Sequence, residues 1–154
     1  MLAHHRRMFA FDHWANTVSL DAVELVAARV PASMAWLNHI LGAKHIWLAR
    51  VTGTPPPFGV NPTLGPAELR AQFAHAAEGW SRFLDAQSEQ DVVRTIHYFN
   101  LKGDPFSSPL GDILAHVPVH GQHHRGQVNA DLRGAGVVPP AIDFIHAART
   151  GALG

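Results

Sequence analysis

The stretch HVPVHGQHHRGQV, residues 116–128, contains four of the twelve histidines in this chain of 154 residues. Three of them, His116, His120 and His124, follow one another at intervals of four inside a segment with helical apolar spacing. Side chains four apart on a helix have Cβ atoms about 5–6 Å apart, so two such imidazoles can bind one metal ion. A third ring eight residues on lies about 12 Å along the axis and cannot normally share that ion. The spacing therefore predicts a two-histidine contribution, from His116 and His120 or from His120 and His124.

The apolar stripe of the same helix favours the second pair. This stripe contains Ile113, Val117, His120, His124, Val128 and Asp131. A single histidine on such a stripe is more often a core residue with a hydrogen-bond partner. Two buried rings without a shared partner would cost about 2–7 kcal/mol, so a shared metal ion is the better interpretation. His123 lies about 60° round the helix from His120 and is expected to flank the site without ligating.

A third ligand must come from another helix, and His39 is the better candidate there. It lies on one predicted helix face with Trp36, Ala43, Ile46 and Arg50. His45 is about 240° round that helix from His39, so we expect it to face a neighbour or solvent. We expect His4 and His5 to be frayed and exposed. The remaining histidines have no partner at ligand spacing and are given structural or surface roles: His13, His75, His97 and His146.

The chain-wide pattern predicts an all-α fold, an antiparallel four-helix bundle. Its four long helices are predicted over residues 8–29, from a Ser33 cap to about Val51, from Pro66 through Phe83, and from Ser108-Pro109 to Arg133 with a kink at Pro118. A short hairpin or extended crossover in VVRTIHYFN (92–100) and LKGDPF precedes the fourth helix. Pro139-Pro140 is predicted to open a short terminal helix through about Arg149. The second helix is apolar nearly all round, which favours a homodimer covering Trp36, Leu37, Leu41 and Leu48.

Composition narrows the function classes. Residues 1–154 are expected to form one domain, since the length suits a single core. Twelve basic residues balance twelve acidic ones, and no basic stripe with interleaved aromatics appears, so we expect no nucleic-acid partner. No apolar run approaches the roughly 18 residues of a membrane span, and we expect a cytoplasmic protein. Cysteine is absent, which leaves imidazole, carboxylate and water as metal ligands.

Several longer segments resemble the DinB-like family of metal-binding four-helix bundles. These are FDHWAN (11–16), LNHILGAKHIWLAR (37–50), HGQHHRGQV (120–128) and LRGAGVVPPAIDFI (132–145). The resemblance covers nearly the whole chain and places the family's three metal-binding histidines on His39, His120 and His124. It also implies a homodimer, and an activity that in some relatives is thiol transfer or thiol-dependent isomerisation and in others metal-dependent hydrolysis. Lys44-His45, where an acidic–basic pair is common, and the extra His116 depart from the family pattern without removing a ligand.

These observations predict a metal-dependent enzyme with a three-histidine site and an open coordination position. The expected cofactor is a divalent ion, with zinc favoured and nickel, iron or manganese as alternatives. The expected partner is a small-molecule substrate, with a low-molecular-weight thiol as a leading class, and the reaction is thiol S-transfer or hydrolysis. H-E-x-x-H is absent because Gly121 follows His120, so the zinc-peptidase mechanism is not supported. The alternatives are a non-catalytic metal- or ligand-binding bundle, such as a sensor or storage protein, and a histidine-ligated haem bundle.

Overall fold

The computed structural model describes residues 1–153 and is mostly helical, with one small antiparallel sheet. Over these residues the elements are α1 (Leu2–Glu24), α2 (Pro31–Thr52), α3 (Pro66–Asp85), β1 (Thr95–Phe99), β2 (Pro105–Pro109), α4 (Leu110–Gly134) and α5 (Phe144–Arg149). Short 3-10 turns lie at Ala27–Arg29 and Asp91–Val93. Among the helices of residues 1–153, none combines the length and the apolar character that a membrane crossing requires.

The first helix begins near the N-terminus because its first turn is anchored to a distant loop. The backbone N–H of Leu2 donates to Glu89 Oε1 at 2.8 Å, and the Met1 amino group lies 3.0 Å from Glu89 Oε2. His5 is consequently only 7% exposed, so the prediction of a frayed, exposed His5 is wrong. His4 is exposed, as expected.

The second helix starts at Pro31, two residues before the predicted cap. Proline suits the first helical position, since its missing N–H would have had no partner inside the helix. Ser33 therefore lies inside the first turn. Its backbone N–H and its hydroxyl both donate to Asp131 Oδ2, at 3.0 and 2.7 Å. A carboxylate of α4, and not the serine, satisfies this helix end.

The later elements are close to their predicted positions. The hairpin is confirmed, with Ile96 opposite Ser108 in an antiparallel register. The terminal helix begins at Phe144, after Asp143 in extended backbone, so the predicted start at Pro139-Pro140 is wrong. The fixed φ of proline suits extended backbone as well as a first helical turn. On α3 the buried residues recur at helical spacing, and near its end Leu84 is buried while Phe83 is only partly buried.

The packing of the four long helices shows their directions. Each of α1 and α2 contacts both α3 and α4. One apolar cluster joins the start of α1 and of α4 to the end of α2 and of α3, with Phe9, Leu114, Val51 and Trp80 among its members. A second cluster joins the opposite ends. Hence α2 and α3 run in the same direction, opposite to α1 and α4, and the connection between α2 and α3 must return along the molecule.

This connection, residues 53–65, lies against α2. An added Cβ on Gly42 would lie 2.3 Å from the carbonyl oxygen of Val60, so only glycine allows this close approach. The Asn38 amide clamps the segment further along, because it accepts from Leu64 N–H at 2.9 Å and donates to Leu64 O at 3.2 Å. The chain thus covers part of α2 itself.

Because residues 53–65 cover part of α2, one argument for the predicted homodimer no longer holds. Leu37 and Leu41 are fully buried within one chain, while Trp36 and Leu48 are partly buried against its core. The contiguous exposed apolar patch that was expected on α2 is therefore not found in residues 1–153. Homodimerisation stays a prediction without this support.

Candidate metal centre

Two helices bring the three predicted histidines together. His39 lies on α2, His120 and His124 lie on α4, and one ligand nitrogen from each falls within 4.8 Å of the other two. We call these three residues the histidine centre. His39 and His120 are partly exposed, and His124 is 9% exposed. Such a group can hold one metal ion while remaining open on one side.

Hydrogen bonds orient two of the three rings. His39 Nδ1 lies 2.8 Å from Asn61 Oδ1, and His124 Nδ1 lies 2.6 Å from Gln127 Oε1. An amide oxygen only accepts, so each Nδ1 carries the proton and each Nε2 keeps its lone pair. Metal-ligating histidines commonly donate their other ring N–H in this way. Asn61 comes from the connection that Gly42 and Asn38 hold on α2, so the fold of that segment supports the ligand.

The separation of the ligand atoms suits a small divalent ion. His120 Nε2 and His124 Nε2 are 3.2 Å apart. Two nitrogens that each lie about 2.0–2.1 Å from a tetrahedral ion are about 3.3–3.4 Å apart, close to this separation. The donor set therefore fits the ion that the sequence predicts.

The local electrostatics keep two of the three rings neutral. Burial and, after it, the nearby imidazoles of His124 and His39 lower the pKa of His120 to about 4. Burial also lowers the pKa of His124, although the hydrogen bond to Gln127 opposes the shift. Neutral imidazole is the form that binds metal. His120 and His124 are consequently in their ligating state at neutral pH.

The other histidines near this region stay outside the centre. The His116 ring is 5.5 Å from His120, and the His123 ring is 4.9 Å from His124, measured between centroids. Neither belongs to the group of three. His45 packs against Phe58 at 4.8 Å and is 4% exposed, so it faces a neighbour and not solvent. Burial, together with the charge of His75, lowers its pKa to about 4.

An aromatic ring borders the centre, and a cavity lies one helical turn away from it. Trp36 stacks on His124 with 5.0 Å between centroids and 18° between planes. One helical turn from His120, a cavity of about 400 Å³ is lined by residues that include His116, Trp47 and Tyr98, and by no member of the histidine centre. The Arg50 guanidinium lies 4.4 Å from the Trp47 ring and 4.8 Å from the Tyr98 ring. This cavity offers room for a small molecule next to His116, the histidine one turn before His120.

A buried charged cluster lies next to the centre, and the sequence reasoning missed it. It consists of Asp12 and Asn16 from α1, Lys44 from α2 and Arg125 from α4. All four are 5% exposed or less. Asp12 accepts from the Lys44 ammonium and from Arg125 Nη1, the latter at 2.6 Å. Arg125 Nη1 also donates to Asn16 Oδ1 at 2.7 Å.

The charged cluster fixes α4 relative to α1 and α2. Although burial opposes it, the charges of Lys44 and Arg125 lower the pKa of Asp12, so the carboxylate is ionised. Gly121 permits the close contact, because an added Cβ would lie 2.5 Å from Asp12 Oδ1. A signal existed in the sequence: Asp12 and Asn16 are four apart on an otherwise apolar helical face. Their partners were not predictable, since they lie on other helices.

Comparison with known proteins places the chain in one family. No curated protein and no solved structure is significantly similar to it. Residues 10–151 match the model of the DinB family. That match covers most of the 154 residues, including every member of the histidine centre and of the charged cluster. The chain therefore belongs to the DinB family.

Proposed function

We propose that this protein is a metal-dependent enzyme whose divalent ion is bound by His39, His120 and His124. The observation that carries the proposal is the convergence of three imidazole nitrogens within 4.8 Å, two of them on rings held by Asn61 and Gln127. Three protein ligands leave a position for water or substrate, which is typical of catalytic zinc sites. Zinc is favoured, while nickel, iron and manganese also accept imidazole ligands.

The bound ion would act as a Lewis acid that makes water or a thiol nucleophilic near neutral pH. The chain's own residues then hold and shape the reaction space. Asn61 and Gln127 orient the ligand rings, and Trp36 covers one face of His124. The cavity beside His116 and Trp47 would bind the substrate. Thiol S-transfer and hydrolysis are the two reactions that this arrangement suits.

We also propose an arrangement for the helices around the site. The four long helices form one bundle domain with α2 and α3 parallel to each other. A cytoplasmic location and a homodimer remain predictions, and light scattering of the purified protein at micromolar concentration tests the dimer.

Cobalt substitution distinguishes the reaction classes. A cobalt–thiolate bond adds a charge-transfer band that imidazole and water ligands do not give. We expect one of a panel of cysteine-, glutathione- and sugar-linked thiols to produce this band while the cobalt content stays constant. A thiol bound to the ion is deprotonated, so binding should also release a proton.

The other outcomes of the titration are equally informative. If small anions change the spectrum and no thiol does, hydrolysis replaces thiol transfer as the proposed reaction. If neither changes it, the open position does not exist and a non-catalytic metal-binding role takes its place. The absence of a Soret band in the purified protein would remove the haem alternative.

A further inference from the structure

A second cavity lies between α1 and α3, away from the histidine centre. Its volume is about 400 Å³, and no member of the histidine centre lines it. Apolar side chains, Phe9, Ala74 and Ala77 among them, form much of its wall. Lys44 and His13 line it as well. Arg6, which pairs with Asp85, also lies at the wall. The cavity therefore combines an apolar body with three nitrogen-bearing side chains, the composition expected of a small-molecule site.

Lys44 is the first reason to expect an anionic ligand. It is 3% exposed, and its ammonium group is paired with Asp12. That carboxylate also neutralises Arg125, so one buried negative charge faces two buried positive charges. An ammonium group has three N–H donors, and Asp12 is the one side-chain acceptor that residues 1–153 supply to Lys44. Burying an incompletely balanced charge is costly, and a second anion would relieve it.

Arg125 does not have the same deficit. Its Nε and Nη2 groups donate to Gln122 Oε1 at 3.3 and 3.0 Å, and Nη1 donates to Asp12 and Asn16. Within the charged cluster, Lys44 is thus the residue whose N–H donors outnumber their side-chain acceptors, and it lines the cavity.

His13 provides a second polar group at the same wall. Its Nδ1 is buried and has no hydrogen-bond partner among the residues that the structure describes. Burial and the nearby charge of Lys44 lower the pKa of His13, so the ring is neutral at pH 7 and carries one N–H donor.

The acidic residues at the cavity are already paired. Asp85 Oδ1 accepts from Arg6 Nε at 3.2 Å, and Glu78 lies 3.7 Å from Arg82 Nη1. These carboxylates consequently offer little repulsion to an entering anion.

We propose that the α1–α3 cavity binds a small organic monocarboxylate with an apolar body. The carboxylate accepts hydrogen bonds from Lys44 and His13, and the apolar body packs against Phe9 and Ala77. An inorganic anion matches the cationic wall but leaves the apolar wall uncovered, and an apolar amine would add a third positive charge.

Calorimetric titration of hexanoate, hexanol and hexylamine into EDTA-dialysed protein tests the proposal. Metal removal ensures that no carboxylate binds at the histidine centre through an ion, so the result is independent of the proposed enzyme function. We expect hexanoate to bind at least about tenfold more tightly than hexanol, since a charge-assisted hydrogen bond is lost with the alcohol. Hexylamine should not bind.

Three variants locate the binding. Lys44→Met removes the ammonium group and should weaken hexanoate about tenfold or more, with hexanol unchanged. Ala77→Leu fills the apolar part without touching Lys44 and should weaken both probes. Ala71→Leu makes the same change on the exposed face of α3 and should leave binding unchanged. Circular dichroism checks that each variant is folded, and Ala77→Leu decides the question if Lys44→Met is not.

Two results would overturn the proposal. One is equal binding of hexanoate and hexanol, or no binding of either. The other is hexanoate binding that Ala77→Leu does not weaken.

Discussion

The histidine centre and the Arg125 end of the charged cluster are close together on α4, but they differ in how completely their polar groups are paired. His124 and Arg125 are neighbours in sequence, and His39 and Lys44 are five residues apart on α2. Arg125 is fully buried, with side-chain acceptors for Nε, Nη1 and Nη2. In the histidine centre the Nε2 atoms of His120 and His124 face each other at 3.2 Å, and the rings of His39 and His120 are partly exposed. The comparison shows that saturated polar groups hold the helices together, whereas unsaturated ones are left available for a ligand.

The largest expected effect is the loss of the Asp12 carboxylate. Asp12→Ala leaves Lys44 and Arg125 buried without a counter-charge, so the free energy of unfolding at pH 7 should fall by about 3–5 kcal/mol. Urea denaturation measures this. Asp21→Ala, on the same helix, removes an exposed carboxylate that pairs with Arg70, and it should cost less than about 1 kcal/mol. Equal stability of the two variants would show that the charged cluster does not hold the fold.

A pair of glycines on α4 sharpens the same comparison. Gly121→Ala places a Cβ 2.5 Å from Asp12 Oδ1 and 2.8 Å from Arg125 Nη1, and we expect a loss of about 1–3 kcal/mol. Gly126→Ala meets nothing within 4 Å, so the better helix propensity of alanine should stabilise the protein by about 0.5–1 kcal/mol. Urea denaturation of both variants should therefore give shifts of opposite sign. A gain in stability from Gly121→Ala would contradict the packing of the charged cluster.

The sequence could not predict two features: the charged cluster, and the return of the connecting segment along α2. The histidine spacing on α4 and the face of His39 are local periodic patterns, and the structure brings those three rings together. The pairing of Asp12 with Lys44 and Arg125 joins three helices and has no local period. The return of residues 53–65 along α2 depends on contacts at Gly42 and Asn38 that are distant in sequence.

The same limit explains the first of two smaller differences near the chain ends. His5 is buried because Glu89, more than eighty residues away, anchors the first turn of α1. The late start of α5 is a local difference, because the fixed φ of Pro139-Pro140 suits extended backbone as well as the helix start that was predicted there. Local rules predicted the elements, while long-range contacts determined which of their faces are covered.

Asn61, which orients a ligand from outside the histidine centre, should affect the affinity for the metal ion. Asn61→Leu removes the acceptor for His39 Nδ1, and loss of such a partner typically costs about 10–100-fold in affinity. Asn61→Asp keeps an oxygen acceptor for His39 Nδ1, so it should bind the ion more tightly than Asn61→Leu does. Competition with a chelator of known affinity measures both variants. Equal affinity of Asn61→Leu and wild type would show that this hydrogen bond does not support the ligand.

The smallest expected effect concerns pH and His45. Its pKa is about 4 in the folded chain and about 6.5 when unfolded, so between these values the unfolded state binds more protons. Stability from this group is therefore complete above about pH 6.5 and is lost as the pH falls towards 4. His45→Gln should reduce the loss of stability over that range by about 1–2 kcal/mol in metal-free protein. His146→Gln, at an exposed position, should leave the pH dependence unchanged, and an identical effect of both variants would refute the role of His45.

The metal content of purified variants shows whether His39, His120 and His124 bind the ion. Protein prepared without added metal should contain about one divalent ion per chain by elemental analysis. His39→Ala, His120→Ala and His124→Ala should each lose it, while the matched variants His116→Ala and His123→Ala, at neighbouring histidines outside the group of three, should retain it. Stoichiometric metal in His124→Ala would contradict this assignment. Loss of the ion from His116→Ala together with its retention in His124→Ala would assign the second ligand pair to His116 and His120.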